Sequence, residues 1–132
     1  MMLGPSLDIF GDKWGIEILV CAFFRVRRFT DLRDCTGISA NILSDRLERF
    51  VTAGILTETV GGAAEQGYGL TEKGVDLYGV IVAIQGWADQ WLSGRIRSPV
   101  LLIHRRCGAV FQPATTCGHC LGVVQCLDVR FR

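Results

Sequence analysis

The 132-residue chain lacks most features that would mark an enzyme, a secreted protein or a membrane protein. No apolar run approaches the roughly 20 residues that cross a bilayer, so no membrane partner is expected. The N-terminus does not follow a basic start with an apolar centre and a small-residue cleavage site, which points to the cytoplasm. There is no Ser-His-Asp set in workable order, no phosphate-cradling glycine loop and no pair of acids in a polar pattern, so catalysis is not expected. No internal repeat and no low-complexity segment is visible. A large charge of one sign is missing too: the net charge is +1, which argues against a uniformly basic surface.

What is present is unevenly spread. Up to residue 92 there are eight Lys/Arg against twelve Asp/Glu; from residue 93 there are six arginines against Asp128 alone. A mildly acidic body, residues 1–93, therefore carries a basic appendage, residues 94–132. A mean hydropathy of +0.32 is high for a monomer in water and implies a subunit interface. Four of the six cysteines fall between Cys107 and Cys126. In a reducing compartment such a cluster reads as metal-binding or redox-active before it reads as structural disulfides.

Along the body, Leu7, Phe10, Trp14, Ile18 and Cys21 recur at helical steps and predict one helix over residues 6–24. Thr30 is placed to cap a short helix, "DLRDC", which Gly37 ends. Ser39 caps a second, with Ile42, Leu43, Leu47 and Phe50 on its apolar face and Gly54 as the stop. Residues 55–71 hold two short strand-like runs around a Gly-rich turn, a hairpin. In the closing helix, residues 72–92, Leu77, Val80 or Ile81, Ile84, Trp87 and Trp91 predict a long buried stripe. Gly94 and Pro99 punctuate the link to the β-prone tail. Cys21 and Cys35, inside apolar helical patterns, read as inert buried residues. Helix, short helix, sharp turn, helix, hairpin and closing helix describe a winged helix-turn-helix: mainly α, with a small β component and a short β-rich, zinc-ribbon-like tail.

"GDKWGIEIL" (11–19), "RRFTDLRDCTGISANILSDRLERFVTAGIL" (27–56) and "YGLTEKGVDLYGVIVAIQGWADQW" (68–91) resemble the HxlR-type winged helix-turn-helix regulators. Their pattern runs G-x-K-W, R-F-x-x-L, G-I-S-x-x-x-L-S-x-R-L, then Y-x-L-T-x-x-G. The resemblance covers about residues 5–92. It implies a transcriptional regulator acting as a homodimer through the first and last helices of the winged unit. The recognition helix, residues 39–53, would enter the major groove of double-stranded DNA at a pseudo-palindromic operator. Ser39, Ala40, Asn41 and Ser44 would face bases or phosphates, Arg46 and Arg49 would flank them, and Arg27, Arg28 and Thr30 lie at the neighbouring helix start. An Asp45–Arg49 pair on a solvated face is the plainer reading of part of that surface.

Three departures from the family pattern stand out. The wing tip "VGGAAEQG" carries Glu65 and no basic residue, Gly69 stands where a charged residue is usual, and Met1 falls where the family's redox sensors have a cysteine. The acidic body and uncharged wing keep open a second class, a winged module that binds another protein.

In the tail, His104-x-x-Cys107-Gly108 and Cys117-x-x-Cys120 are two knuckles of equal spacing. A two-residue gap turns both side chains of a knuckle towards one ion, and two knuckles make a Cys3His set typical of structural zinc. His119 or Cys126 are alternatives to His104. A reversible Cys117–Cys120 disulfide, making the protein a thiol-based redox sensor, and a plain β appendage with buried cysteines are the competing readings. The tail arginines either extend a DNA footprint through phosphates or solubilise the appendage.

Overall fold

The structure, a computed structural model, describes residues 2–59, 66–92 and 101–130. These fall into two compact units, Met1–Ile81 and Val82–Arg132. The wing tip with Glu65 and the predicted link at Gly94 and Pro99, with its boundary at residue 93, lie outside the described residues.

Where one long helix was expected, the chain makes two: α1, Gly4–Phe10, and α2, Lys13–Phe23. The break is chemical. A Cβ at Gly11 would lie 2.5 Å from the Leu7 carbonyl oxygen, and Asp12 leaves the helical region to cap α2, its carboxylate accepting from the Gly15 N–H at 2.6 Å. The apolar spacing runs straight across this joint, which hides it from a periodicity reading.

Helix α3, Phe29–Thr36, starts two residues earlier than expected: Arg28 stands at the N-cap position, where no side-chain oxygen caps the first turn, and Thr30 lies inside that turn. The Arg27 carbonyl accepts the Tyr68 N–H at 2.8 Å, which fixes the chain extended just before the helix. Gly37, at φ 71°, ends α3 in the left-handed region. Ser39 caps α4, Ala40–Thr52, as expected. Between them Ile38 is buried and its N–H is held by Thr36 Oγ1, so the turn is clamped on both sides. Leu43, Leu47 and Phe50 of α4 are fully buried; Ile42 turns out towards solvent instead of joining that face.

Strands β1, Leu56–Thr59, and β2, Gly67–Leu70, pair antiparallel with Leu56 opposite Leu70. Gly67 permits the close approach that pins the hairpin: its φ is 138°, and a Cβ there would sit 2.3 Å from the Arg27 carbonyl oxygen. The closing helix is also divided, into α5, Glu72–Val75, capped by Thr71, and α6, Tyr78–Trp91. The core of the first unit comprises Ile18, Leu19, Cys21, Leu32, Ile38, Leu43, Leu47, Phe50, Ile55 and Leu56, with Leu77 and Ile81 packed against it.

Two further expectations fail. The stripe on α6 is not buried within one chain: Val80, Ile84, Trp87 and Trp91 are exposed, Trp87 by 58% and Trp91 by 66%. Of the expected stripe, Leu77, just before α6, and Ile81 pack against the core, and the buried residue of α6 is Val82, outside the stripe. Nor are Cys21 and Cys35 inert: they form a disulfide joining α2 to α3, and Cys35 is exposed. The second surprise follows from topology, since α2 and α3 pack together and bring the two thiols onto one seam.

In the second unit, Gly86 of α6 faces Pro113, whose ring leaves no room for a side chain there. Among the described residues of the tail, the β-prone runs form two isolated bridges, Ile103 with Val110 and Thr116 with Val123, followed by a 3-10 turn at Cys126–Asp128.

Candidate nucleic-acid interface

Helix α4 is stiffly mounted. Its three buried side chains each contribute about 1.5–3 kcal/mol of burial, and the outer face is left to polar groups. Ser39, Ala40, Asn41, Ser44, Asp45, Glu48 and Arg49 are all exposed. Residues 40, 41, 44 and 48 recur at helical steps, so they share a surface a DNA groove could admit.

Arg46 and Arg49 of α4 also make contacts within the chain. Arg46 is half-buried, and its Nε donates to Asp12 Oδ2 at 2.6 Å while its Nη1 reaches Asp45. It therefore ties α4 to the cap of α2. Asp45 turns to Arg46, not to Arg49. Arg49 Nη2 donates to the Asp8 carbonyl at 3.0 Å and links α4 to α1. Burial alone would raise the Asp12 carboxyl, but the Gly15 N–H, the Arg46 hydrogen bond and the charges of Arg46 and Arg49 outweigh it and hold it below the ordinary value. No sequence signal points from Asp12 to Arg46, thirty-four residues on; the contact exists only in the fold.

Arg27, Arg28 and Thr30 are exposed at the start of α3. Arg28 and Thr30 line a cleft of about 500 Å³ with Phe29, Glu58, Thr59, Gln66, Gly67 and Tyr68. Burial, with the hydrogen bond and charge of Glu58, raises the Tyr68 phenol, so it stays protonated at neutral pH. The cleft thus joins the leading end of α3 to the base of the wing.

The predicted metal residues come together in two pairs. His104 Nδ1 lies 3.3 Å from Cys107 Sγ. Cys117 faces the backbone amides of Cys120 and His119 and the Cys120 thiol, and these lower its pKa. Among the described residues no group of three His, Cys, Asp or Glu side chains forms a metal cage. His119 and Cys126 are exposed.

Two helices set across a left-handed glycine turn, the second with a polar outer face, and a hairpin beside them define a winged helix-turn-helix protein of the kind that offers one helix to a DNA groove. The HxlR-like helix-turn-helix family model matches residues 9–95, and the chain belongs to that family. It is 36% identical over 120 residues to Rv3095 of Mycobacterium tuberculosis and to Mb3122 of Mycobacterium bovis, both uncharacterised HTH-type transcriptional regulators, covering 89% of this chain and 76% of theirs. The crystal structure of PA1607, a candidate transcription factor, is similar with a TM-score of 0.80 at 29% identity, over 96% of this chain and 89% of that one. Quinone-bound YodB from B. subtilis is similar with a TM-score of 0.59 at 27% identity, over 68% of this chain and 97% of its own. The protein is thus a DNA-binding transcriptional regulator and not an enzyme. Among the described residues no helix is long and apolar enough to cross a membrane.

Proposed function

We propose that the protein is a cytoplasmic, sequence-specific regulator that binds a pseudo-palindromic operator as a homodimer, with α4 of each subunit in the major groove. The observation that carries this reading is the mounting of α4. Its apolar face is buried, Arg46 and Arg49 strap it to neighbouring helices, and Ser39, Ala40, Asn41 and Ser44 stay exposed at its leading end. Asn41 suits an adenine edge, and Ser44 a base or a phosphate. Arg27, Arg28 and Thr30 would contact the backbone beside the groove, with Arg49 at the other flank. Arg46 acts as a positioning residue, because its guanidinium already serves Asp12 and Asp45.

The homodimer is supported by exposed apolar side chains on the first and last helices of the winged region: Leu7 on α1, and Val80, Ile84, Trp87 and Trp91 on α6. Steps of four, three and four residues put the α6 set on one stripe, as at a helix–helix seam. Selection of bound duplexes from a random pool tests the reading. Enrichment of two inverted half-sites about one helical turn apart is the expected outcome; an unenriched pool, or a single undivided site, contradicts it.

A further inference from the structure

The tail is built from one turn used twice, a repeat absent from its letters. Every backbone bond of the first loop recurs thirteen residues later. His104 N–H donates to the Ala109 carbonyl at 2.9 Å, and Cys117 N–H to the Gly122 carbonyl at 2.9 Å. Gly108 N–H returns to the His104 carbonyl at 2.8 Å, and Leu121 N–H to the Cys117 carbonyl at 2.8 Å. Phe111 N–H meets the Leu102 carbonyl as Val124 N–H meets that of Thr115. The bridge of Ile103 with Val110 becomes that of Thr116 with Val123. Of the ten aligned positions in each loop only a cysteine and a valine are shared, Cys107 with Cys120 and Val110 with Val123, so the backbone repeats where side chains do not.

The shared cysteine closes each turn, and the first position of each turn is His104 or Cys117. The residue after each closing cysteine is left-handed: Gly108 at φ 72° and Leu121 at φ 60°. Leucine rarely adopts that conformation, and Leu121 is 77% exposed, so burial of its side chain does not compensate. Strain of this sort marks functional sites when the surroundings enforce it. Here it turns the Cys117–Cys120 loop into the same shape that glycine gives the first. The His104 Nδ1 to Cys107 Sγ distance of 3.3 Å is close to the separation of about 3.6 Å between a nitrogen and a sulfur ligand on one tetrahedral zinc.

We propose that the two turns are the halves of one structural zinc site, ligated by His104, Cys107, Cys117 and Cys120. The repeat selects this set. His119 falls at a middle position of its turn, equivalent to Arg106, and Cys126 lies in the 3-10 turn beyond both. The pairs stand apart in this structure, and the ion would join them. The four protein ligands fill the coordination sphere, so the metal holds the tail together and carries no reaction.

The test is the metal content of the full-length protein, purified under reducing conditions without added zinc, and the visible spectrum after cobalt exchange. About one zinc per chain is expected, with the strong visible bands of tetrahedral, thiolate-bound cobalt. Cys117→Ser and Cys120→Ser should each lower retained zinc at least about tenfold, while His119→Ala and Cys126→Ser retain the parent value. Metal-free parent protein, with Cys117 and Cys120 bonded to each other after mild oxidation, overturns the proposal in favour of a thiol switch. Loss of zinc in Cys126→Ser or His119→Ala overturns the ligand set. Retention in all four variants assigns the ion to another place and overturns the site. Because the readout is metal, failure of DNA binding would leave this result unaffected.

Discussion

At Asp12 one carboxylate holds two elements together: Oδ1 accepts the Gly15 N–H that starts α2, and Oδ2 accepts Arg46 Nε from α4. Its pKa in the folded protein lies below the ordinary aspartate value. The stabilisation is therefore complete above the unfolded value and is lost as pH falls through the folded one. Asp12→Asn keeps a capping oxygen but removes the charge. A series of melting curves from about pH 5 to about pH 2 should show a shallower acid limb for the variant than for the parent; parallel limbs would mean that the Asp12–Arg46 pair contributes nothing. Asp12→Ala also loses the cap and should cost about 1–2 kcal/mol in denaturant unfolding at neutral pH. The exposed polar face of α4 was legible at this scale because helical spacing separates Asn41 and Ser44 from the buried Leu43 and Leu47. The role of Arg46 was not, since a guanidinium on a helix flank looks the same in sequence whether it meets a phosphate or a distant carboxylate.

Between elements, Ser39, Gly37 and Gly54 made the helix-turn-helix readable, because capping and left-handed stops depend on one residue each. Joints were harder. Gly11 and Asp12 break a helix whose apolar rhythm continues, and Thr71 caps a short helix that Asp76 and Leu77 separate from the next. Cys21 and Cys35, fourteen residues apart, each fitted a helix pattern, and only the packing of α2 on α3 pairs them. A loop of that length predicts about 3 kcal/mol from closure entropy. Cys35 is exposed, so Cys35→Ser tests the cross-link without opening a cavity at that position. Its melting temperature should fall by roughly 10 °C relative to the oxidised parent and match that of the reduced parent. Equal melting of oxidised parent and variant would show that the bond does not stabilise the fold. The doubled turn of the tail lay deepest of all, because backbone geometry repeated while all but two of the ten side chains changed.

For the whole molecule, the high mean hydropathy goes with apolar side chains left exposed on the single chain, and the proposed homodimer would cover those on α6. Trp87 and Trp91 were expected inside; they are the most exposed members of the α6 stripe. Trp87→Lys should weaken self-association by about 2 kcal/mol or more, in line with a central aromatic anchor, and shift sedimentation from dimer towards monomer at micromolar concentration. Unchanged sedimentation would place the interface elsewhere. Operator affinity should fall with the dimer, since two half-sites held by one body are bound together.

The most direct test of the account is the affinity of Asn41→Ala for a selected operator and for an unrelated duplex of equal length, at one fixed salt concentration. Asn41 is exposed and outside the core, so the melting temperature should stay within the range of an ordinary surface change. Loss of about 1–3 kcal/mol on the operator, with binding to the unrelated duplex unchanged, is the predicted result. Parent-like affinity for the operator would contradict the assignment of α4 as the reading helix.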